Sequence, residues 1–454
     1  MSTWIDAAIF YHIYPLGLLG APTRNDVASP PVPRLRALEP WIDHARDIGC
    51  TALYLGPLFE STSHGYDTAS YTQVDRRLGS NDDLAKLVSF AHDRGVRVIL
   101  DGVFHHVGRD FPAFRDLQER GEASPYRDWF SGIDFSQQSP LGDPFSYDAW
   151  SGHFELVKLN LDNPEVRAHL FDAVRGWYTD FAIDGLRLDA ADSIDHAFLR
   201  DLMTVSREAN PDCWVVGEVI HGDYSQWANP EMLDSVTNYE CYKGLYSSFN
   251  DRNLHEIAYS LNRQFGDGGI YRDLLLYSFA DNHDVDRVAS TLRDPAHLAP
   301  LYTLLYTMPG VPSVYYGSEW GMTGTKQGGD DSPLRPALTW PVDAAAMPHP
   351  ELEATIRALA RVRQESPALR HGSYEQCAVA SDQLAFLRRA EGSVAVVAIN
   401  AAPEPVPMTI PLAGMDGTEL VDALDPAVRV TVSGGEAVLP DIPAHGARIL
   451  LTRS

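Results

Sequence analysis

The sequence predicts an α/β protein: a closed (β/α)8 TIM barrel, with a domain inserted after its third strand and an antiparallel β-sandwich at its C-terminal end. Three observations predict it. Short apolar runs alternate with amphipathic helical stretches eight times over roughly the first 340 residues, and eight repeats favour a closed barrel over an open doubly wound sheet. The alternation breaks once, from about 106 to 161, in a stretch rich in Pro, Gly, Asp and aromatics that is too long for an ordinary loop. After about residue 366 helical periodicity gives way to short β-like runs between Gly, Pro and Asp. The expected boundaries are 1–106 and 162–365 for the barrel, 107–161 for the insert and 366–454 for the sandwich.

The elements follow in order. Residues 9–14 read as the first strand, and Trp41, Ile42, Ala45 and Ile48 then fall at helical spacing up to the stop signal Gly49. After the strand at 51–55, Asn81 is expected to cap a helix with Leu84, Leu87, Val88 and Ala91 on its inner face, closed by Gly95. The third strand, 96–100, runs into Asp101. Beyond the insert, Asn163-Pro164 opens a helix bearing Val166, Leu170, Val174, Trp177 and Phe181. A fourth strand, 185–188, ends at Asp189, and a helix around Phe198, Leu202 and Val205 leads to the fifth, 214–216, and Glu218. Strands at 235–238, 274–279 and 313–316 complete the eight. In the C-terminal region 384–387, 394–399, 407–410 and 447–451 read as strands.

Composition bounds the function. The chain of 454 residues is 44% apolar and 22% charged, as a globular protein is, and its 36 basic against 62 acidic residues give a formal charge of −26. That balance argues against nucleic acid and anionic membranes as partners. No apolar run reaches membrane length, and the N-terminal residues carry no basic leader with an apolar core. Cys50, Cys213, Cys241 and Cys377 are scattered, with no CxxC pair. A reduced, cytoplasmic protein is expected.

The acids carry the chemistry. Asp101, Asp189, Glu218 and Asp284 all fall at or just past the C-terminal ends of expected strands, the edge on which barrel enzymes build their active sites. Any one of them alone reads as a helix cap or loop residue; four with characteristic neighbours do not. Arg187 and Asp189 share one side of a strand, and an arginine there keeps a carboxylate ionised and oriented, as a nucleophile requires. Glu218 leaves an apolar strand with no cation beside it in sequence, so burial is expected to raise its carboxyl and suit it to give a proton. One ionised and one protonated carboxyl, about 5 Å apart, is the equipment of retaining glycoside cleavage.

Asn282, His283 and Asp284 supply a third acid and groups able to grip sugar hydroxyls, and Asp101 and His106 sit similarly after the third strand. Tyr66, Tyr147, Trp150 and Trp320 are candidate stacking platforms for glucose faces. A metal site at His105 and His106 is disfavoured, because neighbours on a strand point to opposite faces.

These stretches together resemble the α-amylase family of glycoside hydrolases. The likeness rests on Asp101-Gly-Val-Phe-His-His106, Gly185-Leu-Arg-Leu-Asp189, Val216-Gly-Glu218 and Phe279-Ala-Asp-Asn-His-Asp284, in that order on those strands. The resemblance implies Asp189 as nucleophile, Glu218 as acid/base and Asp284 as transition-state stabiliser. It places Arg187, His106, His283 and Tyr66 (in His64-Gly-Tyr-Asp67) around the cleaved glucose. Lys158-Leu-Asn-Leu-Asp-Asn-Pro-Glu165 and Leu188-Asp-Ala-Ala-Asp-Ser-Ile-Asp-His196 are similar to the neopullulanase and cyclomaltodextrinase branch, and a compact chain also resembles the cyclic maltosyl-maltose hydrolase type.

Three departures qualify the expectation. His105 stands where the family often has an Asn that helps bind calcium, so no cofactor is expected to be required and the calcium site is in question. The chain begins almost at the first strand, so dimerisation through an N-terminal domain is not expected, although a homodimer is left open. The polar loop 321–336, with Lys326, Asp330, Asp331 and Arg335, has no assignment beyond a lip of the cleft. The substrate is expected to be a small oligosaccharide, its linkage and its linear or cyclic form undetermined. A transglycosylase or isomerase would share the same intermediate, and a non-catalytic barrel would lack the acid set.

Overall fold

Eight parallel strands form a barrel in the order in which the chain makes them. In the computed structural model, which describes residues 4–452, they are Phe10–Ile13, Ala52–Leu55, Arg97–Gly102, Gly185–Leu188, Trp214–Gly217, Ser235–Val236, Tyr277–Phe279 and Val311–Tyr315. Each pairs in parallel with the next, and the eighth returns to the first. The seam between the sixth and seventh closes through a parallel bridge, Thr237 to Tyr277, and the Asn238 amide donating to Tyr277 O at 2.8 Å. The seventh strand is shorter than the run 274–279 suggested. The third extends through Asp101, which therefore sits in the strand, not beyond it.

Strand parity explains where the site lies. Register aligns Phe10 with Ala52 and His12 with Tyr54, then Ile99 with Gly185 and Asp101 with Arg187. Side chains two apart share a face. Phe10, Ala52, Ile99, Trp214, Val216, Tyr277 and Phe279 therefore fill the lower barrel as one apolar cluster. One step higher on the same inward rows stand His12, Asp101 and Arg187, all buried. The interior thus turns from apolar to polar towards the C-terminal ends of the strands. Gly185 permits this close approach, because a Cβ there would meet Trp214 O at 1.9 Å.

Helices cover the outside. Asn81–His92 is capped one residue earlier than expected: Ser80 accepts from the Asp83 amide and Asp83 reaches back, a capping box. Pro164–Asp180 opens on Asn163, which accepts from Glu165, and His196–Ala209 opens on Asp195. No described helix is long and apolar enough to cross a membrane.

Between the third and fourth strands the chain builds a small antiparallel sheet from His106–Gly108, Ala149–Trp150 and His153–Lys158. At the C-terminal end a six-stranded sheet and the pair Val406–Pro411 with Glu436–Ile442 enclose a second core, including Leu387, Val396, Ile410, Leu439 and Leu450. Arg388 binds this region to the barrel by donating to Thr307 O at 2.6 Å.

Candidate active site

Three carboxylates converge on one guanidinium. Arg187, 4% exposed, donates from Nη1 to Asp101 Oδ1 (2.9 Å) and Asp189 Oδ1 (3.0 Å), and its Nη2 lies 2.8 Å from Glu218 Oε1. Strand pairing produces this convergence. Arg187 aligns with Asp101 on one side and Val216 on the other, so a residue just past each strand end reaches the same point. The expectation that Glu218 has no cationic neighbour is corrected: Arg187 contacts it from the adjacent strand, 31 residues away in sequence, where a reading along the chain does not look.

The backbone draws the two acids together as well. Ala190, directly after Asp189, adopts the left-handed conformation (φ 45°), which is strained for a residue with a Cβ. Its amide donates to Glu218 Oε2 at 3.2 Å. Tyr239 OH donates to Glu218 Oε1 at 3.3 Å. The expectation that Arg187 keeps Asp189 ionised is corrected: burial raises this carboxyl well above the usual range, against the pull of Arg187, and the charges of Glu218, Asp101 and Asp284 push the same way. A proton held by these acids belongs to the coupled set, not to one residue.

Asp101 plays a different part. Its Oδ2 accepts from Tyr54 OH (2.7 Å) and Tyr66 OH (2.9 Å) while Oδ1 holds Arg187. Both oxygens are occupied by protein donors, so Asp101 anchors Arg187 and Tyr66. Asn282 is similarly engaged: its carbonyl accepts from the Asp284 and Val285 amides at 2.8 and 3.1 Å, fixing the turn that presents Asp284.

Asp284 lies between His283 and Arg335. His283 Nε2 is 2.9 Å from Oδ2, and Arg335 Nη2 donates to Oδ1 at 2.8 Å. Burial would raise this carboxyl, but His283, Arg335 and Arg187 outweigh it and hold it far below the ordinary range. Tyr66 stacks on His283 with rings 5.6 Å apart and its hydroxyl bonded to Nε2. Arg335 is a residue that sequence reading left in an unassigned loop. It also donates to His283 O (2.9 Å) and Asp331 (3.0 Å) and lies over the Tyr14 ring.

His106 closes the opposite wall. Its Nε2 is buried, has no protein partner and lies 3.9 Å from Asp189 Oδ2. Burial, with His105 adding to it, lowers the imidazole to about 3, so the ring is neutral at neutral pH. The expectation that His105 and His106 point apart fails, since the chain bends at His105 and the two Nδ1 atoms are 3.3 Å apart. His12, missed in the sequence, underlies the site. It stacks on Tyr54 at 4.1 Å and meets His283 edge-on at 5.0 Å. Only its parity with Phe10 signalled an inward position.

Two aromatic candidates are not platforms. Trp320 is 1% exposed, packed on Trp41 and His44, with Nε1 donating to Glu353. Tyr147 is buried within the insert, where its hydroxyl joins Arg109 to Phe154 O. Trp150 remains half-buried, with its ring 5.9 Å from that of His106.

The model of the alpha amylase catalytic domain matches residues 35–372 of this chain. The chain belongs to the alpha-amylase family. It is an alpha-amylase-family glycoside hydrolase, similar to a cyclomaltodextrinase of Bacillus sp (33% identical over 420 residues, 87% of this chain and 73% of that one). Among solved structures it is similar to the cyclic alpha-maltosyl-(1→6)-maltose hydrolase of Arthrobacter globiformis, with TM-score 0.83, 27% identity, and 99% and 100% of the two chains covered. It is equally similar to the Nostoc punctiforme debranching enzyme (TM-score 0.83, 27% identity, 99% of each chain). These likenesses bear out the family, the branch and the barrel with its C-terminal antiparallel domain. The matched region begins after the first strand, which the fold nevertheless requires between the second and the eighth.

Proposed function

We propose that this alpha-amylase-family enzyme hydrolyses α-glucosidic bonds of malto-oligosaccharides and cyclic maltodextrins with retention of configuration. Asp189 is the nucleophile, Glu218 the acid/base and Asp284 the transition-state stabiliser. The observation that carries this reading is the span of Arg187, whose two terminal nitrogens hold Asp189 and Glu218 side by side at 3.0 and 2.8 Å.

In the first step Glu218 gives its proton to the glycosidic oxygen as an Asp189 oxygen attacks the anomeric carbon. The carbon–oxygen bond of the leaving sugar breaks, and a glucosyl ester of Asp189 forms. In the second step Glu218, now a carboxylate, takes a proton from water, whose oxygen attacks the same carbon and releases Asp189. Only one proton is needed between the two acids. Burial and the neighbouring acids push Asp189 up against the pull of the shared guanidinium, which favours a pair that keeps one. Asp284, held as an anion, favours the oxocarbenium-like charge. Its neutral neighbour across the cleft, His106, has a free nitrogen for a sugar hydroxyl.

Cyclic substrates are favoured by the names of the relatives, a cyclomaltodextrinase and a cyclic maltosyl-maltose hydrolase. A time course with maltotetraose, pullulan, β-cyclodextrin and cyclic maltosyl-maltose tests the reading. Opening of a ring to linear oligosaccharides, with the α-anomer as first product, is expected. Products longer than the starting sugar would make the enzyme a transferase, and an inverted first product would overturn the mechanism.

A further inference from the structure

We infer that Asp294, His297 and His445 form a divalent-metal site, best suited to zinc, that pins the barrel to the C-terminal sheet domain. Asp294 and His297 belong to the barrel side, where the single turn Pro295–His297 leads into helix Leu298–Thr307. His445 comes from the turn between strands Glu436–Ile442 and Gly446–Thr452. One ligand atom from each of the three lies within 4.8 Å of the others.

The hydrogen bonds leave ligand atoms unused. His297 is 5% exposed, and its Nε2 lies 3.0 Å from Ala401 O. A carbonyl only accepts, so Nε2 carries a hydrogen, and in the neutral ring, the form that binds a metal, Nδ1 offers its lone pair. That Nδ1 is buried without a partner. A ring fixed by a carbonyl on one nitrogen and unpartnered on the other is the arrangement of a metal-ligating histidine. His445 Nδ1 is also buried and unpartnered, with the two rings 5.0 Å apart.

His445 moreover has φ 43°, a strained backbone that its amide secures by donating to Ala402 O at 3.0 Å. Asp294 uses Oδ1 to cap Ala296 at 2.9 Å and is exposed, so its carboxylate can adjust. Packing alone explains the contact of the His297 ring with Phe249 but not two orphaned nitrogens, each of which carries a desolvation penalty.

Two imidazoles and a carboxylate are the donor set of zinc, with water in a fourth position; calcium would want more oxygens. Zinc–ligand bonds of about 2.0–2.2 Å put ligand atoms about 3.4 Å apart, so closure needs only a small shift of the exposed Asp294 and a turn of the His445 ring.

The test uses the full chain, stripped with a chelator and titrated with Zn2+ against a competing indicator, alongside thermal unfolding with and without the metal. His445→Asn suits the left-handed backbone and Asp294→Asn keeps the cap, so both are expected to fold. The wild type should hold one zinc per chain and gain Tm with it. Each variant should bind about tenfold or more weaker and lose the Tm gain. Failure of the wild type to bind zinc would overturn the site. So would equal binding by both variants, which would place the metal elsewhere, for example among the catalytic acids.

Discussion

Arg335 donates to Asp284 Oδ1 at 2.8 Å from a loop 51 residues further along the chain. The same guanidinium grips His283 O and Asp331. This side chain thus fixes the turn that carries the third acid and, with His283, helps hold that acid's charge.

Arg335→Ala is therefore expected to lower kcat/KM. Hydrogen bonds to charged groups contribute about 1.5–3 kcal/mol, which corresponds to roughly 10–100-fold. Arg335→Lys should recover part of the loss, because it restores the charge without the fork. Steady-state kinetics on β-cyclodextrin would check this, and a change below about twofold would separate Arg335 from the chemistry.

Arg187 should matter for folding as much as for turnover. Three carboxylates depend on a guanidinium that is 4% exposed, and stranding buried charges costs about 3–5 kcal/mol. Arg187→Met is expected to lower Tm clearly at pH 7. Without the cation the Asp189 carboxyl, already raised by burial and its neighbour acids, loses the pull that Arg187 exerts and rises further, so the deficit should grow as pH rises and shrink towards pH 4. Thermal scans from pH 4 to 8 would show the trend; a pH-independent deficit would mean lost packing alone.

His106 supplies a binding group and not the acid limb of the pH profile. Its imidazole titrates at about 3, below any working pH. His106→Ala should lower kcat/KM by roughly two- to tenfold, through loss of a hydrogen bond of about 0.5–1.5 kcal/mol. The acidic midpoint of the rate profile should not move; a shift of that midpoint would mean that His106 exchanges the catalytic proton.

What could be read from the sequence follows strand parity. Arg187 and Asp189 are two residues apart at the end of a short strand, so their contact was legible. The Arg187–Glu218 contact depends on which strands are neighbours and in what register, and no local pattern contains that. Arg335 lies in an aperiodic loop, where only a folded chain brings it to Asp284. Trp320 followed a strand, as a platform would, but the turn Ser318–Trp320 folds it back on Trp41 and His44. Aromatic identity does not separate core from cleft.

That burial makes a direct prediction: Trp320→Ala should lower stability by about 3–5 kcal/mol, the usual penalty for emptying a large core site. The surviving folded enzyme should keep its KM. Denaturant titration and kinetics at low temperature would distinguish this from a sugar-binding role, in which KM would rise and stability hold.

Asp189→Asn should abolish turnover and yet stabilise the fold at neutral pH. The native carboxyl is raised by burial and by Glu218, Asp101 and Asp284, while Arg187 only partly offsets them. A raised acid weakens the folded state as pH climbs from the unfolded value, about 4, through the folded one, and the full penalty then persists above it. Asparagine has no charge to bury, and Arg187 keeps Asp101 and Glu218 as partners. The variant's Tm should exceed the wild type's at pH 7, and the gap should close as pH falls to about 4, where the native acid is protonated. A variant less stable than wild type at pH 7 would mean that Asp189 is held ionised by a net favourable field.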